Sequence, residues 1–213
     1  MSDEKQYGLK DAHALKTPDD SVDLYRKWAT SYDQTFAQDR GYNYPAHIAQ
    51  VLHNLSEIDD SPILDVGAGT GLVAQEILAN GRCVIDAIDI SQEMLAQSMA
   101  KGIYRNYIQA DLSQPLALDD DIYGVVVSAG TFTHGHVGPQ ALRELLRIAK
   151  PNALFCLGVN ATAFDKYGFG SAFAALQAEG LISPLEFEKT NFYRYADDAN
   201  RNDIGFTAVF RKI

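Results

Sequence analysis

The sequence predicts an α/β protein built on a mostly parallel, doubly wound sheet, and three observations predict it. From Ser61 onward, short apolar segments with strand character alternate with helix-patterned ones, as βαβ units require. The stretch ILDVGAGTGLVAQEI, residues 63–77, joins such a strand to a helix through a glycine-rich turn. The last two strand-like segments, LEFEKTNFYRY and IGFTAVFRK, are separated only by ADDANRND, which is turn chemistry, so they are expected to pair antiparallel.

The elements follow in order. Thr17 is placed as an N-cap before Pro18, with Asp19 and Asp20 complementing the dipole, so a helix starts near residue 18. A short helix around SYDQTFAQ and a third over YPAHIAQVLHNL precede the first strand. The division expected is a helical cap or lid over 1–60 and a single α/β unit over 61–213. The cap carries Tyr25, Trp28, Tyr32, Phe36, Tyr42 and Tyr44, rings that cover the sheet and can also roof a pocket. Strands are expected near 62–66, 83–88, 106–110, 123–128 and 153–159. Helices are expected near 70–80, 91–100 with Ser91 as its cap, and 138–149 with Pro139 in its first turn, then over GSAFAALQAEG.

A chain of 213 residues, 46% of them hydrophobic, has enough apolar surface for one core. Its apolar runs are too short to cross a bilayer and the first residues are polar, which points to no membrane and to the cytoplasm. Cys83 and Cys156 lie in apolar, strand-like runs without metal spacing, so both are read as buried thiols. A net charge of −10 without a basic stripe argues against nucleic acid as a partner.

Glycine lets the backbone take tight dihedrals and approach a ligand, and the free N–H groups of the following helix face the same space. A dinucleotide fingerprint is matched by Gly67 and Gly69, but its third position falls on Leu72, and Asp65 would repel a pyrophosphate. An acid at Asp65 suits a ligand carrying positive charge, such as an ammonium or a sulfonium. Asp65, Gly67, Gly69 and Gly71 resemble motif I of the class I S-adenosylmethionine-dependent methyltransferases.

In doubly wound sheets the ligand sits at the carboxyl ends of the strands. Asp89, about 20 residues past the glycines, can accept from both hydroxyls of a ribose. Ile90 and Met94 are placed to flank an adenine, although Met94 fits helix core equally well. Asp111 can accept from the adenine amino group, with Leu112 against the ring. The resemblance implies S-adenosyl-L-methionine as cofactor, S-adenosyl-L-homocysteine as product, and a Rossmann-like sheet of order 3-2-1-4-5-7-6. It adds Ala68 and Ser128 to the cofactor contacts, with Trp28 and Tyr32 closing over them. LYRKWATSYDQTF, YNYPAHIAQVL and RELLRIAKPNALF are similar to a small-molecule group related to the Williams–Beuren region methyltransferase, whose tyrosine–aspartate segment is matched by Tyr32 and Asp33. Lys150-Pro151-Asn152-Ala153 departs from that group's usual turn.

SAGTFTHGHVGP, after the fourth strand, lacks the Asn/Asp-Pro-Pro-aromatic motif of amide methylation and the paired glutamates of arginine methylation. Ser128 and Asn160 stand where a magnesium site would need carboxylates, so no metal is expected. What the segment offers is a pocket shaped by Thr131, Phe132, Phe164 and Tyr167, with His134 placed to act as general base if the acceptor oxygen, nitrogen or sulfur must lose a proton. His136 could equally cap the next helix. The expected function is methyl transfer to a small molecule by a monomer or homodimer. The alternatives are a catalytically silent binder of the same cofactor and, less well supported, an NAD-dependent oxidoreductase.

Overall fold

The computed structural model describes residues 7–8, 11–12, 14–15, 17–57, 60–133, 137–195 and 203–213. Helix α1 (Pro18–Trp28) opens with the expected capping box: the Thr17 side chain accepts from the Asp20 N–H and Asp20 returns a bond to the Thr17 N–H. A π-helical segment (Asp33–Gln38) and α2 (Tyr44–Leu55) follow. The α/β unit then runs β1 (Ile63–Val66), α3 (Leu72–Ala79), β2 (Ile85–Asp89), α4 (Gln92–Lys101), β3 (Tyr107–Gln109), β4 (Tyr123–Phe132), α5 (Ala141–Ile148), β5 (Ala149–Asn160), α6 (Ala161–Lys166), α7 (Phe169–Ala178), β6 (Glu186–Asn191) and β7 (Ile204–Arg211).

The seven strands are ordered β3-β2-β1-β4-β5-β7-β6. β1, β2, β3, β4 and β5 run parallel to one another, while β7 pairs antiparallel with both β5 and β6. The sequence-predicted Rossmann-like sheet is therefore the observed one. All four residues of β1 are buried, as expected of a central parallel strand with both faces covered. Two cores result, one under α5 and α7 around Leu64, Phe132, Leu145 and Phe173, the other under α2 and α3 around Tyr44, Ile48, Val73 and Val125.

Four differences from the sequence expectation have local causes. β4 continues past Ser128 to Phe132, with a register shift against β5 between those residues. β5 begins at Ala149 because that residue pairs with Tyr123 across another shift, so the turn around Asn152, at φ 67°, is carried within the strand. Helix α6 lies within what was read only as an aromatic-rich stretch; its cap is the Asn160 side chain, which accepts from the N–H groups of Thr162 and Ala163. Cys83 is exposed, because β2 begins only at Ile85, whereas Cys156 in β5 is fully buried and burial pushes its thiol up to about 12. The β6–β7 connection expected as a turn falls mostly on 196–202, outside the described residues.

The N-terminal segment is tied down at two places. The Asp33 carboxylate accepts from the Thr70 hydroxyl in the glycine turn and from Lys101 Nζ at 2.6 Å at the end of α4. Beside these, Tyr42 and Tyr193 form an isolated antiparallel bridge that joins the cap to the segment after β6.

Candidate active site

A cavity of about 930 Å³, part of it open to solvent, sits at the carboxyl ends of β1, β2 and β4 under the N-terminal segment. The glycine turn forms its floor. Gly67, Gly69 and Gly71 all have positive φ, as the tight turn demands. A Cβ on Gly69 would meet nothing within 4 Å, so the backbone there borders open space, while one on Gly67 would sit 1.9 Å from Thr131 Oγ1. Thr131 is held because its hydroxyl donates to the Val66 carbonyl at 2.8 Å, at the end of β1.

Asp89 ends β2 at the cavity wall, and its two oxygens accept from the Gly69 N–H and the Ser91 N–H, both at 2.8 Å. Burial raises its pKa and these backbone bonds oppose the rise. Each carboxylate oxygen keeps acceptor capacity after one such bond, so the pair suits two vicinal hydroxyls. Ile90, Met94, Asp111 and Leu112 line the same wall, and the Asp111 carboxylate accepts from the Ser113 N–H at 2.8 Å. Ala68, Gly67 and Tyr32 also line the cavity. Sequence reasoning missed Ser21, Thr70 and Gly130, and singled out Tyr25 and Tyr42 only as two of the rings that can roof a pocket. Thr70 stood within the quoted motif, whereas Tyr25 and Tyr42 had only their aromatic character to mark them.

Several expected site residues stand elsewhere. Asp65 is fully buried beneath the turn and does not line the cavity; one oxygen accepts from the Tyr104 hydroxyl at 2.6 Å and the other has no partner among the described residues. Ser128 is also fully buried, its hydroxyl spent on the Val66 carbonyl at 2.8 Å. Trp28, 1% exposed, lies behind the cavity in the cap's aromatic core, where its indole N–H donates to Thr35 at 3.0 Å. Phe132 is turned into the sheet core against Phe169, because the shift in β4 puts it on the α5 face. Phe164 packs among Phe173, Phe187 and Phe206, and Tyr167 is exposed under Lys166. These last three line neither this cavity nor the one beside it. His134 and His136 lie outside the described residues. Among the described residues no cluster of His, Cys, Asp and Glu could hold a metal ion, and no helix is long and apolar enough to cross a membrane.

Burial raises Asp65 from 3.8 to about 7, with the Tyr104 bond opposing the rise and the nearby charge of Asp89 adding to it. A raised carboxyl favours the neutral acid in the fold: its contribution to stability is complete below the unfolded pKa and is lost as pH rises through the folded one. Roughly three units correspond to at most about 4 kcal/mol. In thermal unfolding of ligand-free protein, wild type therefore loses stability relative to Asp65→Asn between about pH 4 and about pH 8. Parallel profiles for the two proteins would show that Asp65 is not titrating in the fold.

The strand order and the glycine turn define a Rossmann-like protein, with a cavity at the carboxyl ends of its strands. Residues 64–157 match the family model described as a methyltransferase domain. Human methyltransferase-like protein 27 is 32% identical over 152 residues, which cover 70% of this chain and 61% of that protein. A ubiquinone biosynthesis O-methyltransferase of Rickettsia prowazekii is 29% identical over 126 residues, 58% of this chain and 49% of that one. The chain thus spans about half to three-fifths of the length of these two relatives. A structure of a putative S-adenosyl-L-methionine-dependent methyltransferase from Methanococcus maripaludis superposes with a TM-score of 0.59 at 18% identity, covering 88% of this chain and 91% of that one. Residues 64–157 thus match a methyltransferase domain, set on the fold seen in S-adenosyl-L-methionine-dependent methyltransferase structures.

Proposed function

We propose that the protein transfers the methyl group of S-adenosylmethionine to a small-molecule acceptor, releasing S-adenosylhomocysteine. The observation that carries this reading is the placement of Asp89, bonded by the Gly69 N–H across the open face of the glycine turn, in a cavity also walled by Asp111 and Leu112. The residues present fit the cofactor: Asp89 would hold the ribose, Asp111 the adenine amino group, Ile90, Met94 and Leu112 the ring, and Gly67, Ala68 and Gly69 the amino-acid end. Asp65, which burial holds toward its neutral form in the free protein, lies beneath the turn, and a cation bound above it favours the ionised carboxylate. When bound, S-adenosylmethionine supplies a methyl carbon that takes the acceptor's lone pair as its bond to sulfur breaks, the electron pair leaving with the sulfur.

Because that methyl group is already activated, positioning supplies much of the rate. The cap contributes by excluding water: Tyr25, Tyr32 and Tyr42 roof the cavity, and Asp33 fastens them to the turn through Thr70. In this reading residues 18–44 act as a lid. Hydrogen exchange there slows when cofactor binds, and Asp33→Ala removes much of that protection; unchanged exchange on cofactor addition would leave a static cover. An O-methyltransferase among the relatives supports oxygen as the acceptor atom. A hydroxyl acceptor must lose its proton, and His134, two residues past the end of β4 in sequence, is the base we assign. His134→Gln lowers turnover by about 10²-fold with cofactor affinity unchanged, whereas turnover within a few-fold of wild type across neutral pH would remove it from the chemistry. Calorimetry with S-adenosylmethionine, S-adenosylhomocysteine and NAD tests the cofactor assignment, and NAD binding alone would reverse it. Mass spectrometry of methylated acceptor pools separates turnover from silent binding.

A further inference from the structure

We propose that the cavity beside the cofactor site holds the acceptor, and that this acceptor is a flat aromatic ring bearing an oxygen substituent. The proposal rests on the methyltransferase reading above. The second cavity, about 610 Å³ and partly open to solvent, shares Tyr25, Tyr32, Tyr42 and Gly130 with the first, so the two spaces are divided by single side chains.

Its walls are rings from separate parts of the chain: Trp28, Tyr32 and Phe36 from the cap, Tyr44 at the start of α2, Phe192 and Tyr193 after β6. Neighbouring rings already meet stacked or edge-on at 4.8 to 5.9 Å, as Tyr32–Phe36, Trp28–Phe36 and Phe36–Tyr193 do, and a flat π-system extends that pattern. Burial raises Tyr32 and Tyr42 well above their ordinary range, so these walls stay neutral at physiological pH. Among the described residues lining the cavity there is no Lys, Arg or His, and Asp203 is the charged one, so a carboxylate or phosphate would find no counter-charge there.

The orienting group is Asn160. It ends β5, is 8% exposed and lines this cavity. Its Oδ1 is committed to the cap of α6, accepting from Thr162 N–H at 2.9 Å and Ala163 N–H at 3.2 Å. Those bonds decide which end of the amide is oxygen. The NH₂ group is thereby turned away from the helix, and it has no hydrogen-bond partner among the described residues. This donor is open to the cavity, and a hydroxyl or oxyanion on the ring supplies the oxygen lone pair it can bond.

Trp28 is the only tryptophan of the chain and stands in the wall, so its emission reports occupancy. Full-length protein saturated with S-adenosylhomocysteine is titrated with catechol, and with cyclohexane-1,2-diol as the saturated control, by calorimetry and by Trp28 fluorescence. Catechol binds with a saturable change in emission, and the saturated diol binds about tenfold or more weakly because it cannot stack. Asn160→Asp keeps an acceptor for the α6 cap and removes the donor. It weakens catechol about tenfold, with S-adenosylhomocysteine affinity and thermal midpoint near wild type. Tyr193→Leu, which removes one ring, weakens catechol likewise. Equal binding of the two diols, catechol binding without a change in Trp28 emission, no catechol binding to the loaded protein, or unaltered catechol affinity in both variants each overturns the proposal. Failure of S-adenosylhomocysteine itself to bind overturns the cofactor reading instead.

Discussion

Asp89→Ala lowers affinity for S-adenosylmethionine by about two to four decades. Two hydrogen bonds to a charged acceptor are lost, each worth about 1.5–3 kcal/mol, and every 1.4 kcal/mol is about tenfold. The fold survives, since Asp89 stands at the end of β2 and not within the core between the sheet and its helices. Part of the loss is indirect, because the same carboxylate accepts from the Gly69 and Ser91 N–H groups and so holds the glycine turn against the start of α4. Asp89→Asn separates the two contributions: it retains one acceptor and falls between wild type and alanine. Calorimetry measures all three, and wild-type affinity in the alanine variant would contradict the ribose assignment.

Gly67→Ala is expected to cost stability as well as binding. The residue has φ +65°, where an L side chain is strained by about 1–2 kcal/mol, and its new Cβ would lie 1.9 Å from Thr131 Oγ1 and 2.9 Å from Thr131 Cβ. Thr131 cannot swing away freely, because its hydroxyl is bonded to the Val66 carbonyl. Overpacking of this kind adds about 1–3 kcal/mol, so the total is about 2–5 kcal/mol, read from the denaturant midpoint. Adding Thr131→Gly removes the overcrowding and leaves the strain, so the double variant recovers part of the loss. A single variant as stable as wild type would show that β4 does not press on the turn in solution.

The tyrosine–aspartate pair shows how far sequence could reach. Tyr32 and Asp33 were visible as a segment shared with similar proteins, and Tyr32 lines the cavity at the glycine turn. The partners of Asp33 were not visible, because Thr70 and Lys101 are 37 and 68 residues away and are brought together only when α4 packs beside the glycine turn. Trp28 and Tyr25 illustrate the same limit from the other side: both are aromatic and lie three residues apart on α1, yet Tyr25 lines the cofactor cavity and Trp28 is buried behind it. Composition marks both rings alike, and only the docking of α1 distinguishes them.

By itself the sequence determined the order of the α/β elements, the glycine turn and the two strand-end acids at the cavity, Asp89 and Asp111. These depend on local causes: periodicity of apolar residues, positive φ at glycine, and a polar residue where a strand stops. Tertiary structure decided which side chains face the ligand. Asp65 stands one residue before the end of its buried strand and Asp89 at the end of its own, but Tyr104 reaches Asp65 from the loop after α4 and encloses it. A register shift in β4 sends Phe132 into the core, leaving Gly130 between the two cavities. The wall of the second cavity is assembled from the cap, the end of β5 and the segment after β6, so no local window of sequence contains it. Whether a side chain is wall or core there is settled by long-range packing, which a pattern of neighbouring residues does not encode.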